Sequence, residues 1–280
     1  MRKKLISTIL LAAAVILMGD SLFEGTLPEI VVHGDREPVS MISKTTVDST
    51  ATGHYSDIAP ALESLSDLDV KIGGKGESNL YIRGTGKERI KLLIDGVPVY
   101  ESYSGLFDLG MIGSAQVSRI DIVKGGISSL YGANTMGGVV NVVTAMPTKP
   151  GLFASIGDYR TSNIRASMGG KIGDWDIGGY AGWAHSDGFA LSSDFDPENT
   201  VTGIGSSYGE DGGLRDLSYY NKVNVGVMAG FEKGSTRLDL RARVDDATKG
   251  CTIESSRYWE FDIWRQWQAA AYVEKEIGER

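Results

Sequence analysis

The second half of this 280-residue chain consists of long segments in which two kinds of side chain alternate. In STRLDLRARVDD, residues 235–246, every second residue from Thr236 to Val244 is uncharged, and charged residues occupy the positions between them. Successive side chains of a β-strand point to opposite faces, so a period of two predicts strands with two chemically different faces. The same period recurs in DWDIGGYAGWAH and YYNKVNVGVMAGF, residues 174–185 and 219–231. These segments predict antiparallel β-structure.

A soluble β-sandwich shows the same alternation, but further features favour a membrane β-barrel. The predicted strands reach about ten residues, longer than typical strands of soluble proteins. Short connections at 170–174 and 232–235 alternate with long polar ones at 186–217 and 246–262, the pattern of outer-membrane barrels. Aromatic residues near the segment ends resemble an interfacial girdle: Trp175, Trp183, Tyr219, Phe231 and Trp267. We predict strands at about 151–157, 162–170, 174–186, 218–231, 235–245 and 263–277.

The first half predicts a small α+β domain. SDIAPALESLSDL, residues 56–68, has apolar residues at helical spacing, and Ser56 is placed to cap this helix. Asp95-Gly96 predicts a tight hairpin turn between two short strands. The other predicted elements are strands at 70–72, 80–84 and 89–100 and a short helix at 105–115.

The stretch SRIDIVKGGISSLYGANTMGGVVNVVT, residues 118–144, begins and ends like a β-strand. Between its apolar ends lie Gly125, Gly126, Gly132, Gly137 and Gly138. So many glycines let a chain turn sharply and lie close to neighbouring backbone. This stretch closes the small domain at about residue 146, and prolines after it mark a boundary.

The N-terminus has the layout of a secretory signal peptide. Basic residues at positions 2–4 precede an apolar run from Leu5 to Met18, which is short for a membrane-spanning helix. We therefore assign residues 1–25 to a signal peptide. Residues 26–50 lack periodicity and predict a flexible lead, interrupted by the apolar patch PEIVVHG at 28–34.

Composition excludes several classes of protein. The net charge of −8 argues against general nucleic-acid binding. Cys251 is the only cysteine, so neither an internal disulfide nor a cysteine-based zinc site is available. Export without a cysteine framework suits a bacterial periplasm or outer membrane.

Residues 28–146 resemble the plug of TonB-dependent outer-membrane receptors, and residues 150–280 resemble the first strands of their barrel. The resemblance rests on YIRGTG (81–86), KLLIDGVPVY (91–100) and VSRIDIVKGGISSLYGANTMGGVVNVVT (117–144). Gly126 replaces a proline that is frequent in the family. The motif residues carried over are Arg83, Gly84, Asp95, Gly96, Arg119, Gly125, Tyr131, Gly132, Gly137, Gly138 and Asn141.

The resemblance implies a fold in which a small α+β plug domain sits inside an antiparallel transmembrane β-barrel, with the glycines of 118–144 lying close to the surrounding wall. On this basis we expect a signal peptide at 1–25, a TonB-contact segment and linker at 26–40, a plug at 41–146 and barrel strands at 147–280. In that confined interface, Arg83 and Arg119 are expected to bind carboxylates or carbonyls of the wall, or to form salt bridges within the plug.

The implied function is energy-coupled import of a scarce ligand such as a ferric siderophore, haem or cobalamin across the outer membrane. The implied partners are the TonB protein of the inner-membrane energising complex, the ligand and outer-membrane lipid. TonB pairs with an extended receptor segment by β-augmentation. The matching segment is EIVVH, and its residues are Glu29, Ile30, Val31, Val32 and His33. Ile30 and His33 depart from the family pattern, which leaves the pairing register open.

Barrels of this family have about 22 strands, far more than this chain supplies. Six strands leave two open edges in lipid, where edge N–H and C=O groups lack partners. The sequence therefore predicts a fragment, a truncated and non-functional receptor, or one half of an interrupted gene. An exported ligand-binding module or adhesin with a plug-like domain is the alternative.

Other motifs in the sequence give weaker evidence for catalysis or metal binding. GSSYG, residues 205–209, places Ser207 in a nucleophile pattern, but the following DGGLRD is a poor helix start, so we predict no enzyme. Asp194, Asp196 and Glu198 alternate in a long loop and form a candidate calcium site, although a solvated acidic loop is the better explanation because the full EF-hand pattern is absent. No other cofactor is expected.

Overall fold

The computed structural model describes residues 43–48, 55–65, 68–73, 77–99, 107–114, 117–126, 131–195, 212–251 and 259–275. All of them belong to one unit, Pro38–Arg280. We use the name plug region for the described residues from 43 to 144. The name wall is used for the large sheet that follows it.

The plug region contains one short α-helix and seven strands. In chain order they are β1 (Ser43–Asp48), α1 (Ala59–Glu63), β2 (Leu68–Ile72), β3 (Ser78–Ile82), β4 (Ile90–Ile94), β5 (Val97–Val99), β6 (Val117–Lys124) and β7 (Gly138–Thr144). Five of these strands form a sheet in the order β1-β6-β7-β4-β5, and β2 and β3 form a separate hairpin. Within the larger sheet only β4 and β7 run parallel.

The core of the plug region lies between α1 and the sheet. Ile58 and Leu62 from the helical turn pack against Leu80 of β3 and Ile120 of β6, and all four side chains are fully buried. β4 is buried along most of its length because β5 and β7 flank it on both edges. Burial of such aliphatic side chains stabilises the fold by about 2 kcal/mol each.

The wall is a six-stranded antiparallel sheet in which sequence neighbours pair in order. Its strands are β8 (Gly151–Ile156), β9 (Ser162–Ile172), β10 (Trp175–Ser186), β11 (Tyr220–Lys233), β12 (Thr236–Cys251) and β13 (Trp259–Lys275). These positions confirm the six predicted strands, but β12 and β13 extend six and four residues into the long connection predicted at 246–262. Among the described residues, β8 and β13 form the two edges of the sheet.

The wall is polar on the face toward the plug region and apolar on the other. On β11, Lys222 and Asn224 are buried, whereas Val223, Val225 and Val227 are exposed. The other large exposed apolar side chains of the wall include Leu152, Ile156, Ile164, Met168, Ile172, Ile177, Val244, Ile263, Trp267 and Val273. This arrangement inverts that of a soluble protein and is the one expected for a barrel wall with lipid outside.

None of the helices in the described ranges is long and apolar enough to cross a membrane.

Three predictions about the first half of the chain need correction. Part of the predicted flexible lead, Ser43–Asp48, is a strand paired along its length with β6. The predicted helix at 56–68 is limited to Ala59–Glu63. The cap is also different, because the amide of Ala59 donates to Oδ1 of Asp57 at 3.2 Å. In place of the helix predicted at 105–115, the described part holds only a 3-10 turn at Leu109–Met111.

Candidate functional site: the interface between plug region and wall

The turn between β4 and β5 is one of the places where the plug region contacts the wall, at strands β12 and β13. Asp95 and Gly96 both have positive φ angles, 50° and 79°, which is the type I′ hairpin geometry predicted from the sequence. The amide of Gly96 donates to Oδ1 of Asn141 at 2.9 Å, which ties the turn to β7. The Asp95 carboxylate accepts from the Thr144 amide at 2.8 Å and from Thr144 Oγ1 at 2.7 Å. The turn is therefore held rigid by partners within the plug region.

Arg241 of β12 binds this turn from the wall. Its Nη1 donates to Oδ1 of Asp95 at 2.8 Å and to the carbonyl oxygen of Thr144 at 3.0 Å. The opposite edge of the guanidinium binds Asp239 of its own strand through Nε and Nη2, each at 2.9 Å. One arginine thus connects a wall carboxylate to a plug carboxylate, with the Asp95 side chain only 7% exposed.

β13 adds two hydrogen bonds to the same turn. Nε2 of Gln268 donates to the carbonyl oxygen of Ile94 at 3.0 Å. The hydroxyl of Tyr272 donates to the carbonyl oxygen of Asp95. Both contacts involve backbone acceptors, so they depend on the position of the turn and only weakly on its sequence. A small cavity beside them is lined by Asp95, Thr144, Tyr180, Val227, Met228, Arg241, Ala242, Arg243 and Gln268.

Two lysines form a second set of contacts, near the other end of the wall strands. Nζ of Lys222 donates to Oδ2 of Asp57 at 3.1 Å and to the carbonyl oxygen of Gly110 at 2.5 Å. Nζ of Lys249 donates to Oδ2 of Asp108 at 2.6 Å. The other Asp108 oxygen accepts from the amides of Ser78 and Gly110, at 2.8 Å and 2.9 Å. Each plug carboxylate therefore binds backbone amides of the plug region as well as a wall lysine.

The backbone of the segment 107–114 lies very close to the wall at Gly113. A Cβ atom at this position would lie 2.1 Å from Oδ1 of Asn224 on β11. Next to it, Ser114 Oγ accepts from Nη1 of Arg165 on β9 at 2.9 Å. A side chain at position 113 would require the Asn224 amide group to move, and glycine avoids this overlap.

Three of the five glycines of 118–144 have positive φ angles, and the atoms nearest Gly126, Gly132, Gly137 and Gly138 belong to the plug region, not to the wall. Gly125, Gly132 and Gly138 have φ angles of 111°, 75° and 142°. At Gly138 a Cβ atom would also lie 2.4 Å from the carbonyl oxygen of Val123. At Gly137 it would lie 2.8 Å from Thr85. The stretch therefore needs glycine for the pairing of β6 with β7 and for contact with the neighbouring loop.

The remaining motif residues lie within the plug region. Nε of Arg119 binds Oδ2 of Asp121 at 3.1 Å, a salt bridge within β6. Arg83 and Gly84 form an exposed turn with positive φ angles of 50° and 75°. Tyr131 packs against Leu93 and Val139, and its burial together with the charge of Asp121 raises the pKa of its hydroxyl.

Several predicted residues lie outside the described part of the chain. They are the TonB-contact segment Glu29–His33, Asp196, Glu198 and Ser207. Asp194 lies in the described start of the long loop, where its amide donates to Ser192 Oγ at 3.2 Å. Within the described ranges, no cluster of histidine, cysteine, aspartate or glutamate is arranged to hold a metal ion.

The wall residues that bind the plug region were not singled out from the sequence. Lys222, Arg241 and Lys249 all occupy positions on the inner face of long alternating strands. A charged residue on the polar face of a predicted barrel strand is the signal that marks such a contact. The plug partner of each lysine or arginine is more than 100 residues away, so pattern alone does not identify it.

Comparison with known proteins agrees with this architecture. Residues 35–139 match the family model described as TonB-dependent Receptor Plug Domain. The Vitamin B12 transporter BtuB of Photobacterium profundum is 26% identical over 205 residues, which cover 66% of this chain and 32% of that protein. The chain thus spans about a third of the length of this curated relative.

Two solved structures share the fold. The FrpB iron transporter from Neisseria meningitidis matches with a TM-score of 0.61 and 17% identity, covering 75% of this chain and 32% of that one. FpvA of P. aeruginosa, solved with bound pyoverdines, matches with a TM-score of 0.62 and 16% identity, covering 85% of this chain and 32% of that one. At these identities the likeness concerns the fold.

Proposed function

We propose that this chain is part of a TonB-dependent receptor, carrying its plug domain and first barrel strands, and that the receptor serves energy-coupled import across the bacterial outer membrane. The observation that supports the proposal is the interface between the plug region and the wall. Polar wall residues bind prearranged carboxylates of the plug region, while the apolar side chains of the wall face outward. A receptor family, not an enzyme family, is what the sequence matches.

The plug region contacts the inner face of the wall, so we propose that in a closed barrel a ligand passes only if part of the plug moves. An outer membrane has no ATP, so the work must come from a partner in the inner membrane. We propose that this partner is TonB and that it pairs with Glu29–His33 as an added β-strand. Strand pairing uses backbone amides, so it tolerates the departures at Ile30 and His33.

The ligand class we propose is a large metal chelate such as a ferric siderophore, haem or cobalamin. The support comes from the relatives: one is a vitamin B12 transporter, another an iron transporter, and a third was solved with pyoverdines. Such solutes are too large and too scarce for passive diffusion through small pores. Their import therefore needs both tight binding and energy.

Ile30→Pro tests the coupling step. Proline removes a backbone N–H and blocks strand pairing, so the variant should bind ligand normally and import none. The matched control is Ser40→Pro, which places proline in the same lead outside the proposed segment. Cells producing each variant are assayed with radiolabelled cyanocobalamin and with a radiolabelled ferric siderophore, for surface binding and for uptake.

Loss of uptake in Ile30→Pro alone, with binding retained, supports a TonB-coupled importer. Equal uptake by Ile30→Pro and the unmodified protein contradicts the coupling segment. Binding without any energy-dependent uptake in every variant instead favours an exported ligand-binding module.

A further inference from the structure

We use the name plug joint for the salt bridge between Arg241 of the wall and Asp95 of the plug region. It includes a second carboxylate. One guanidinium lies between two carboxylates, Asp239 on the wall and Asp95 on the plug region. Both carboxylates are largely buried, with side chains 18% and 7% exposed. Counting formal charges, the three groups sum to −1 when the plug is docked.

Each side of the joint also has partners of its own. On the wall, Asp239 takes the Nε and Nη2 edge of Arg241, leaving Nη1 for the plug. On the plug region, Asp95 accepts from the amide and hydroxyl of Thr144. When the two sides separate, Arg241 keeps a bidentate carboxylate and Asp95 keeps two hydrogen bonds. A buried charge that loses all its partners is costly, and this arrangement avoids that cost.

We propose that Asp239 is a positioning residue that keeps the plug joint releasable. It orients Arg241 toward the turn, and it also cancels the arginine charge on the wall side. A neutral Arg241–Asp239 pair attracts Asp95 less than an isolated guanidinium does, because Coulomb attraction scales with the net charge of the site. The proposal rests on the proposed import function, in which the plug has to leave the wall and return.

The neighbouring charges on the wall are paired with each other. Further along the inner face of β12, Arg243 and Asp245 form their own salt bridge. Asp245 also accepts from Nδ2 of Asn224 at 2.9 Å. Arg243 interacts electrostatically with Asp95 as well, but Asp239 is the carboxylate in direct contact with Arg241 on the wall side.

The test is a double-mutant cycle on the full chain in detergent micelles. Asp239→Asn keeps the size of the side chain and an acceptor oxygen but removes the charge. We measure the urea concentration at which trypsin begins to cleave the plug region, and we confirm the fold of each variant by circular dichroism. Asp239→Asn should lower the equilibrium for plug release roughly fivefold, the upper end of what exposed charge pairs contribute, because both carboxylates are largely buried.

Three further variants make the result specific. Asp239→Glu restores the charge and should return release to the unmodified level. In an Asp95→Asn background, Asp239→Asn should have a much smaller effect, because the attraction for the Asp95 charge is gone and only the hydrogen bonds of Arg241 to Thr144 remain on the plug side. Asp246→Asn, which removes a carboxylate of the same strand bound to Arg265, controls for the change in overall charge.

Easier plug release in Asp239→Asn, or an equal effect with and without Asp95, would overturn the proposal and leave Asp239 a structural residue of the wall. The assay contains no TonB and no ligand. A failure of the import experiment with Ile30→Pro therefore leaves this result interpretable, and the two proposals fail separately.

Discussion

Nζ of Lys222 lies 3.1 Å from Oδ2 of Asp57, and these residues are 165 positions apart in the sequence. Their side chains are only 8% and 13% exposed. The pair joins the wall to the segment before α1, where Asp57 also accepts from the Ala59 amide. Contacts of this kind hold the plug region against the wall.

Replacing Lys222 by methionine should weaken plug docking strongly. The change leaves the Asp57 carboxylate buried without its cation and removes a donor from the carbonyl oxygen of Gly110. Removing one partner of a buried pair costs about 3 kcal/mol. The measurement is the urea dependence of tryptic cleavage in the plug region. Lys233→Met, at an exposed position of the same strand, is the control and should change little. Equal effects of the two changes would count against the docking role.

Gly138→Ala should destabilise the plug region by about 2 kcal/mol. The residue has a φ angle of 142°, and an added Cβ would lie 2.4 Å from the carbonyl oxygen of Val123. Gly126→Ala is the matched control, because the atom nearest its added Cβ is 3.9 Å away. Urea unfolding of both variants checks the prediction. Similar urea midpoints for the two variants would show that the backbone accommodates a Cβ atom at position 138.

Gly113→Ala should push the segment 107–114 away from the wall. Its Cβ would overlap Oδ1 of Asn224, and overpacking of this kind costs about 1–3 kcal/mol. In an Asn224→Ala background the same change should cost much less, because the clashing atom is gone. Plug-release midpoints of the four variants give the coupling. Additive effects would contradict the direct contact.

Val225→Lys should impair insertion into membranes. Val225 is on the exposed apolar face of β11, 44% exposed, between two buried inner-face residues, Asn224 and Gly226. A lysine on the lipid face of a barrel costs about 2–4 kcal/mol near the membrane centre. Val225→Leu is the apolar control. Recovery in the membrane fraction is the measurement, and normal recovery of the lysine variant would indicate a face that contacts water.

The sequence predicted those parts of the fold that depend on residues close together in the chain. Asp95-Gly96 predicted its turn because few residue pairs accept two positive φ angles in succession. The alternation of β11 predicted its two faces because side-chain direction in a strand follows directly from position. The wall strands were found for the same reason.

The features that were missed depend on distant partners. β1 has no marked pattern of its own and forms because β6 offers a free edge along its full length. Arg119 was expected to bind the wall or to form a salt bridge within the plug, and the structure shows a salt bridge with Asp121 of the same strand. Arg241 was one of several charged residues on β12, and only the structure places it against Asp95.

The most direct test of the account is the environment of two adjacent side chains on β11. In a Cys251→Ser background, single cysteines at Val225 and at Asn224 are labelled with a nitroxide, and the protein is placed in lipid bilayers. The account predicts that the label at 225 collides with oxygen dissolved in lipid, while the label at 224 is immobilised against the plug region and shielded from lipid. Equal access of both labels to a water-soluble relaxation agent would contradict a membrane wall closed by a docked plug.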